Sequence, residues 1–321
     1  MLSAMRNLTF KQFDAVAAIA RRGSVARAAR ELHLTPAALT ARLRQIESEL
    51  GLLLFDRTPD GLRPTEAGRA MLATVERVDA LVADCIGRLA ALRGLEGGRV
   101  GVAVVSTAKY FAPRIVAAFS ARHPRIEIRL FIGNRAETIA RLRDYDADFA
   151  IMGRPPPGLR VVKEVLGEHP LVFIVPPTHP LIGRRDIPLH DLAEERFIVR
   201  EEGSGTRAAF AALFEQEGAV QPAFGLEIGS NETIKQAVIA GLGIALISAH
   251  TIEAEVDSGR LAILDVSGMP IRRTWFVVRR ADKEFGPAAQ AFWDFVVAEA
   301  GAVLPRALVP AACAAAKVSE S

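Results

Sequence analysis

The chain has 321 residues, half of them hydrophobic, and a formal net charge of +3. It exceeds one average domain, holds no apolar run of about 20 residues, and opens without a charged start followed by an apolar block; a membrane span and a signal peptide are not expected, and a cytoplasmic location is. The two cysteines, Cys85 and Cys313, are far apart and belong to no CxxC or Cys/His grouping, which excludes a disulfide framework and a zinc site.

Charge is unevenly placed. Residues 1–65 carry ten Lys and Arg against six Asp and Glu, whereas the rest of the chain carries 30 against 31. Within the basic segment, Thr9 is placed to cap a helix whose apolar side is Phe10, Phe13, Val16, Ala17 and Ala20. Gly23 stops it. Ser24 caps a second helix running to about Leu32, rich in small alanines. After the break at His33-Leu34, Thr35 caps a third helix with Pro36 at its first position, where a missing N–H is harmless. Leu39, Leu43, Ile46 and Leu50 form its buried stripe, and Gly51 ends it.

Two short helices joined by a tight turn, the second with a narrow apolar stripe, follow the helix-turn-helix plan, in which the second helix enters the major groove. Ala37, Thr40, Ala41 and Arg44 fall opposite the stripe, with Arg42 and Gln45 on its flanks. Thr40 and the alanine methyls suit base edges, including a thymine methyl. The hydroxyls of Ser24 and Thr35 sit at helix starts and suit phosphate oxygens. Leu54 to Thr65 then reads as a hairpin signalled by Asp60-Gly61, a wing that carries Arg57 and Arg63 to the DNA backbone. The competing reading is a plain three-helix bundle with a surface hairpin.

The runs Ala28-Ala29-Arg30-Glu31-Leu32-His33-Leu34-Thr35-Pro36-Ala37-Ala38-Leu39-Thr40, Ile46-Glu47-Ser48-Glu49-Leu50-Gly51, Leu54-Phe55-Asp56-Arg57 and Leu62-Arg63-Pro64-Thr65-Glu66-Ala67-Gly68 resemble the signature of LysR-type transcription regulators, at the family's spacing throughout. The departures are at the reading helix. Pro36-Ala37 stands where the family often has Gln-Pro after the capping Thr, and Ala41 where it often has Arg, so the polar base readers are thinner here.

From Thr65 a long helix is predicted to about Arg93. Met71, Val75, Val78, Val82, Cys85, Leu89 and Leu92 alternate spacings of four and three, a coiled-coil seam widened by Leu72, Leu81 and Ile86. One helix cannot bury that stripe alone. Packing on its own domain is the bland alternative; dimerisation is the stronger reading, and the resemblance implies it too. Cys85 reads as a small buried hydrophobe on the seam. Gly94 and Gly97-Gly98 mark a hinge.

Beyond Arg99, β-rich runs alternate with helical ones: Val100–Val105, Ile126–Phe131, Asp148–Met152, Leu171–Val175, Phe197–Arg200, Phe224–Ile228, Ile244–Ile247 and Thr274–Val278. The alternation predicts an α/β domain with largely parallel sheets. Pro176-Pro177 reads as a passage between two subdomains, with a return near Pro270. The resemblance implies two lobes like a type 2 periplasmic-binding protein with a ligand cleft between. The whole is then a winged helix-turn-helix (1–65), a linker and dimerisation helix with hinge (66–97), an effector domain (98–305, lobe I about 98–170 plus 271–305, lobe II about 171–270) and a flexible tail (306–321).

Four predicted strand ends carry small polar residues, the place where open α/β sheets take ligands. They are Ser106-Thr107-Ala108-Lys109, Gly133-Asn134, Glu202-Gly203-Ser204-Gly205-Thr206-Arg207 and Gly229-Ser230-Asn231-Glu232. Glycines, hydroxyls and helix starts suit an anion, and Lys109 and Arg207 add charge. Each turn taken singly is a plain helix cap; four at corresponding places point to a cleft. No turn carries a Walker or dinucleotide fingerprint.

This region resembles the CbbR branch of the family, which regulates Calvin-cycle (Rubisco) operons. The resemblance rests on Val104 to Pro113, Gly133-Asn134-Arg135, Ile151-Met152-Gly153-Arg154-Pro155-Pro156, Gly203 to Arg207 and Gly229 to Val238. It adds Gly153 to the expected effector site. It implies promoter DNA, RNA polymerase and further copies of the chain as partners, in dimers and tetramers. It also implies an effector of the phosphorylated-sugar or nucleotide kind, such as ribulose bisphosphate, phosphoenolpyruvate or NADPH, and no resident cofactor. A regulator of another one-carbon or central-carbon pathway stays open as an alternative. No histidine pairs with a nucleophile motif and Ser204 is not in a Gly-x-Ser-x-Gly elbow, so an enzyme is not expected. A solute-binding protein would share the sensor fold but has no use for residues 1–65.

Overall fold

A computed structural model of the chain describes residues 8–92, 97–216, 224–306 and 308. The expected hinge residue Gly94, the side chain of Leu92 at the end of the seam and nearly all of the tail, Cys313 included, lie outside the described residues. At the start of the tail, Arg306 donates to Asp257 at 3.1 Å. Among the described residues no helix is long and apolar enough to cross a membrane.

The N-terminal elements are α1 (Phe10–Arg22), α2 (Val25–Glu31), α3 (Pro36–Leu50), β1 (Phe55–Thr58) and β2 (Gly61–Pro64). Thr9 starts α1, its backbone N–H donating to Gln12 Oε1 at 2.7 Å, and Gly23 closes it in the left-handed region at φ +61°. Ser24 occupies the cap position of α2, but its hydroxyl makes no capping bond. Thr35 does cap α3, accepting from Ala38 N at 3.2 Å. The three helices close over Val16, Ile19, Ala28, Ala29, Leu39 and Ile46, all fully buried. Burying each of the larger aliphatics stabilises by roughly 1.5–3 kcal/mol. The alanines of α2 are what lets the helices approach.

The hairpin turn is not where the sequence placed it. Thr58 pairs with Gly61, so the turn is Pro59-Asp60. Gly61 is glycine for another reason: a Cβ there would lie 2.4 Å from the Gly23 carbonyl oxygen, which accepts from Leu62 N at 2.9 Å. The wing is thereby bonded to the turn between α1 and α2.

Helix α4 spans Glu66–Leu92, its 27 residues making a rod of about 40 Å. Thr65 opens it by accepting from Gly68 N at 3.0 Å and donating to the Leu53 carbonyl at 2.8 Å. The near end of its stripe is used at home, where Met71 and Val75 are buried. Further along, Leu81, Ile86 and Leu89 are 60%, 61% and 56% exposed, and Cys85, read as buried, is exposed too.

The C-terminal part contains two groups of strands. A five-stranded sheet runs β4 (Ile126–Gly133), β3 (Gly98–Val105), β5 (Phe149–Met152), β12 (Thr274–Arg280), β6 (Val161–Glu168). It is covered by α5 (Ala112–Arg122) and α10 (Pro287–Glu299), over a core that includes Phe111, Phe119, Phe149, Trp275 and Phe292. On it lies α6 (Arg135–Arg143), which packs Leu142 beside Ala150 and Met152. In the second lobe, β7 (Leu171–Val175) lies between β10 (Ala245–Ser248) and β11 (Ala262–Ile263), while β8 (Phe197–Arg200) pairs with β9 (Phe224–Ile228). Helices α7 (Gly205–Gln216), α8 (Asn231–Ile239) and α9 (Glu253–Asp257) complete it.

The expectation of largely parallel sheets is corrected. β3 runs parallel to β4 and β5, and β8 to β9, but β12 is antiparallel to both neighbours and β7 to both of its own. Strand β6 escaped the sequence because it lies at a sheet edge with half of its residues exposed, including Lys163 and Glu164. The passage between lobes is likewise not at Pro176-Pro177, which follow β7 inside the second lobe. The chain crosses at His169-Pro170 and returns at Ile271–Arg273. The two crossing segments are bonded to each other: His169 N donates to Arg273 O at 2.7 Å, Arg273 N to His169 O at 3.2 Å, and Leu171 and Ile271 exchange bonds at 3.0 and 3.1 Å.

Candidate functional site

The reading head presents α3 outward. Leu39, Leu43 and Ile46 face the core, which leaves Pro36, Ala37, Ala41, Arg44 and Gln45 exposed on the other side. Thr40 is partly exposed and its hydroxyl donates to the Pro36 carbonyl at 2.7 Å, so its oxygen lone pairs face outward as acceptors. Arg42 lies to the side and donates to the Lys11 carbonyl at 3.3 Å, tying α3 to α1. Gln45 donates to Glu49 at 2.9 Å. Arg57 and Arg63 are exposed on the wing, where Asp60 holds Arg63 at 3.4 Å.

The second site is an open cleft of about 370 Å³ between the lobes. From the sequence-expected residues it gathers Ser106 and Thr107 after β3, Asn134 before α6, Gly153 after β5, and Ser204, Gly205 and Thr206 at the start of α7. Two helix starts therefore face it. Asn134 caps α6 by accepting from Glu137 N at 2.9 Å, and Ser204 Oγ accepts from Thr206 N at 3.2 Å. Partial positive charge at both starts favours an anion.

Six expected residues stand outside the lining. Lys109 is bound to Glu232, which also accepts from the Tyr110 hydroxyl. Those bonds hold the Glu232 carboxyl below its ordinary range against the opposing effect of burial. Arg207 donates to the Arg200 carbonyl at 2.8 Å and to Glu227 at 2.6 Å. Ser230 caps α8 through Thr233 N at 3.4 Å, and Asn231 is buried behind the cleft as acceptor for Arg200 at 2.6 Å. Gly203 holds the turn at φ +83°.

What the sequence reading missed is the source of charge. Arg135, Arg154, Arg200 and Arg273 all line the cleft, with Val105, Met152 and His169, and no carboxylate lies among the lining residues. Arg200, 3% exposed, donates to Ser106 Oγ at 3.0 Å across the lobes and is backed by Glu201 at 2.7 and 2.8 Å. Arg273 donates to the Gly205 carbonyl at 3.0 Å. Arg135 donates to the Pro155 carbonyl at 3.2 Å, and its second terminal nitrogen is buried without a partner. Burial lowers the pKa of both Arg273 and Arg135, and neighbouring guanidinium groups lower it further: Arg135 and Arg154 around Arg273, Arg154 beside Arg135. Both remain cations. Such mutual repulsion is relieved when an anion enters. Arg135 and Arg154 each follow an expected residue by one position, so their neighbourhood was legible; Arg273, on the return crossing, carried no signal.

Residues 10–69 match the bacterial regulatory helix-turn-helix protein, lysR family, and residues 93–301 match the LysR substrate binding domain. The chain belongs to the LysR family. This LysR-family chain is 50% identical over 301 residues to the HTH-type transcriptional regulator CbbR of Rhizobium meliloti (strain 1021), covering 94% of this chain and 96% of the relative. It is 42% identical to the RuBisCO operon transcriptional regulator of Allochromatium vinosum, covering 92% and 97%. Among solved structures, the regulatory domain of Synechocystis PCC6803 CcmR in complex with 2-PG superposes with a TM-score of 0.60 at 39% identity, covering 62% of this chain and 96% of that domain. The relatives are named as regulators, not as enzymes.

Proposed function

We propose that this LysR-family regulator binds promoter DNA of carbon-fixation genes in the cytoplasm and senses a small phosphorylated anion in the cleft between its lobes. One observation carries the effector reading: four guanidinium groups converge with the Thr107 and Thr206 hydroxyls and two helix starts on a cleft lined by no carboxylate. Arginine pairs with phosphate and carboxylate oxygens through paired N–H donors, which specifies an anion of that geometry. The 2-PG bound by the Synechocystis relative and the operon named for the Allochromatium relative support the same reading. Base contact is assigned to Pro36, Ala37, Thr40, Ala41, Arg44 and Gln45, and backbone contact to Ser24, Thr35, Arg42, Arg57 and Arg63. A second copy covers the exposed stripe of α4, so that each dimer presents two reading heads to spaced half-sites; dimers pair into tetramers and contact RNA polymerase.

The test is a gel shift and footprint on the chain's own upstream region, with and without 2-PG, ribulose bisphosphate, phosphoenolpyruvate or NADPH. At least one anion is expected to bind and change the protected length. Arg273→Met is expected to weaken that anion by about 10- to 100-fold, the loss of one charge-assisted contact, while DNA affinity without ligand is retained. Equal anion binding by Arg273→Met would refute the cleft assignment. Lack of preference for the upstream region over scrambled duplex would refute the regulator reading.

A further inference from the structure

One ring in the cleft has no hydrogen-bond partner among the described residues. His169 is 3% exposed and lines the cleft, and neither ring nitrogen has a hydrogen-bond partner among the described residues. Buried polar atoms are almost always paired in native proteins, so an orphaned pair in a ligand cleft points at the ligand. The ring is held in place. It stacks on the Trp275 indole with centroids 3.8 Å apart and planes at 16°, and that indole donates to His250 Nδ1 at 3.0 Å. The Gly153 backbone approaches the ring so closely that a Cβ there would lie 2.7 Å from His169 Nδ1. His169 also sits on the first crossing between lobes, bonded through its backbone to Arg273 on the second.

We propose that His169 is the proton-linked sensing residue of the cleft: it takes up one proton from solvent when the anion binds, and holds the anion through an imidazolium N–H. The proposal rests on the reading of the cleft as an anion site. The groups facing the ring set the direction. Arg273 stands beside it on the return crossing, Arg135 at the start of α6, Arg154 after β5 and Arg200 at the end of β8, the last paired with Glu201. His250 lies 6.4 Å from His169 between ring centroids, at the Trp275 edge whose N–H it accepts, and Glu168 directs its negative field toward it. With the cleft empty, burial first, then Arg273 and His250, keep the imidazole neutral well below the usual histidine range. A dianion against the ring reverses the sign of its nearest neighbour charge, and the charged imidazole becomes the favoured form. The only bond made in the step is N–H; the proton comes from water, and the complex carries it.

The linkage has a definite sign. Uptake occurs where pH lies between the low empty-state value and the raised liganded one. Affinity is therefore full below the empty-state value, falls by up to about tenfold per pH unit between the two values, and levels off above the liganded one. The ligand cannot mimic this. A phosphate group gripped by arginines sheds its own second proton, whose pKa is about 6, and so contributes release, not uptake.

Calorimetry of the full chain with 2-PG and with ribulose bisphosphate, in buffers of unequal ionisation heat at about pH 7.5, reads the protons exchanged. Roughly half a proton or more is expected to be taken up per anion bound. His169→Gln, which keeps a donor and an acceptor but cannot titrate, is expected to bind the anion more weakly with no uptake. Imidazole nitrogen NMR of the unmodified chain, which does not depend on any variant folding, is expected to show one histidine change from neutral to charged on ligand addition. Binding without uptake, or equal uptake in His169→Gln, overturns the proposal and leaves the anion site standing. If neither anion binds, the anion-site reading fails and this proposal falls with it.

Discussion

A single methyl group is expected to jam the cleft. In Gly153→Ala the added carbon would meet His169 Nδ1 at 2.7 Å, His169 Cε1 at 3.1 Å and the Arg273 guanidinium at 3.5 Å. The first contact is well inside van der Waals range, so something must move. Arg273 can yield, being flexible and already at an ordinary distance. His169 cannot: its ring is pressed on Trp275, which is fully buried among Phe111 and other large side chains. Forcing a methylene-sized volume into such packing costs about 1–3 kcal/mol. For a unit of this size that lowers the melting temperature by roughly 2–4 °C per kcal/mol. The displaced ring and guanidinium also leave the positions that the anion needs. Scanning calorimetry should therefore show a modest drop in stability, and ligand titration a large drop in anion affinity, while upstream DNA is still bound. If Gly153→Ala melts and responds to ligand as the unmodified chain does, His169 is not wedged as described, and the cleft geometry built on it is wrong.

Three further outcomes follow from other parts of the molecule. Arg57→Ala and Arg63→Ala should each weaken DNA binding and reduce the slope of affinity against salt by about one ion, measured by gel shift across a salt series; an unchanged slope places the wing away from the phosphates. Ile86→Asp combined with Leu89→Asp puts two carboxylates on the exposed stripe of α4 and should shift the chain toward monomer in sedimentation, with loss of cooperative DNA binding; a dimer that survives the pair is held elsewhere. His250 is neutral in the folded protein because burial lowers its pKa to about 4. The unfolded chain binds its proton below about pH 6.5, so this residue's contribution to stability is present above that value and is lost as pH falls toward 4. His250→Gln should flatten the decline in melting temperature over that window; an unaltered decline assigns it to other groups.

The reading head was largely legible because its devices are local. Thr35, Pro36 and Gly51 punctuate α3 through bonds within a few residues, and the observed helix has those limits. Gly61 was visible as a glycine but misread, since what requires it is Gly23, distant in sequence and close in space. The cleft shows the same division. Its hydroxyls and glycines announced themselves as helix starts. Its charge did not, because Arg135, Arg154, Arg200 and Arg273 come from four separated segments and converge only when both lobes are folded. The two cations that looked available, Lys109 and Arg207, are engaged with Glu232 and Glu227, acids that no local pattern pairs with them. The stripe on α4 was legible as a stripe; the structure adds that only its near half finds cover at home.

The double crossing between lobes also limits how the sensor can respond. Two polypeptide segments joined rung to rung from His169 to Leu171 and from Ile271 to Arg273 act as a ribbon, not as a pair of independent strings. A ribbon flexes readily across its flat face and resists shear and twist in its plane. If the proposed anion draws the arginines together, bending of this ribbon is the coordinate expected to yield first.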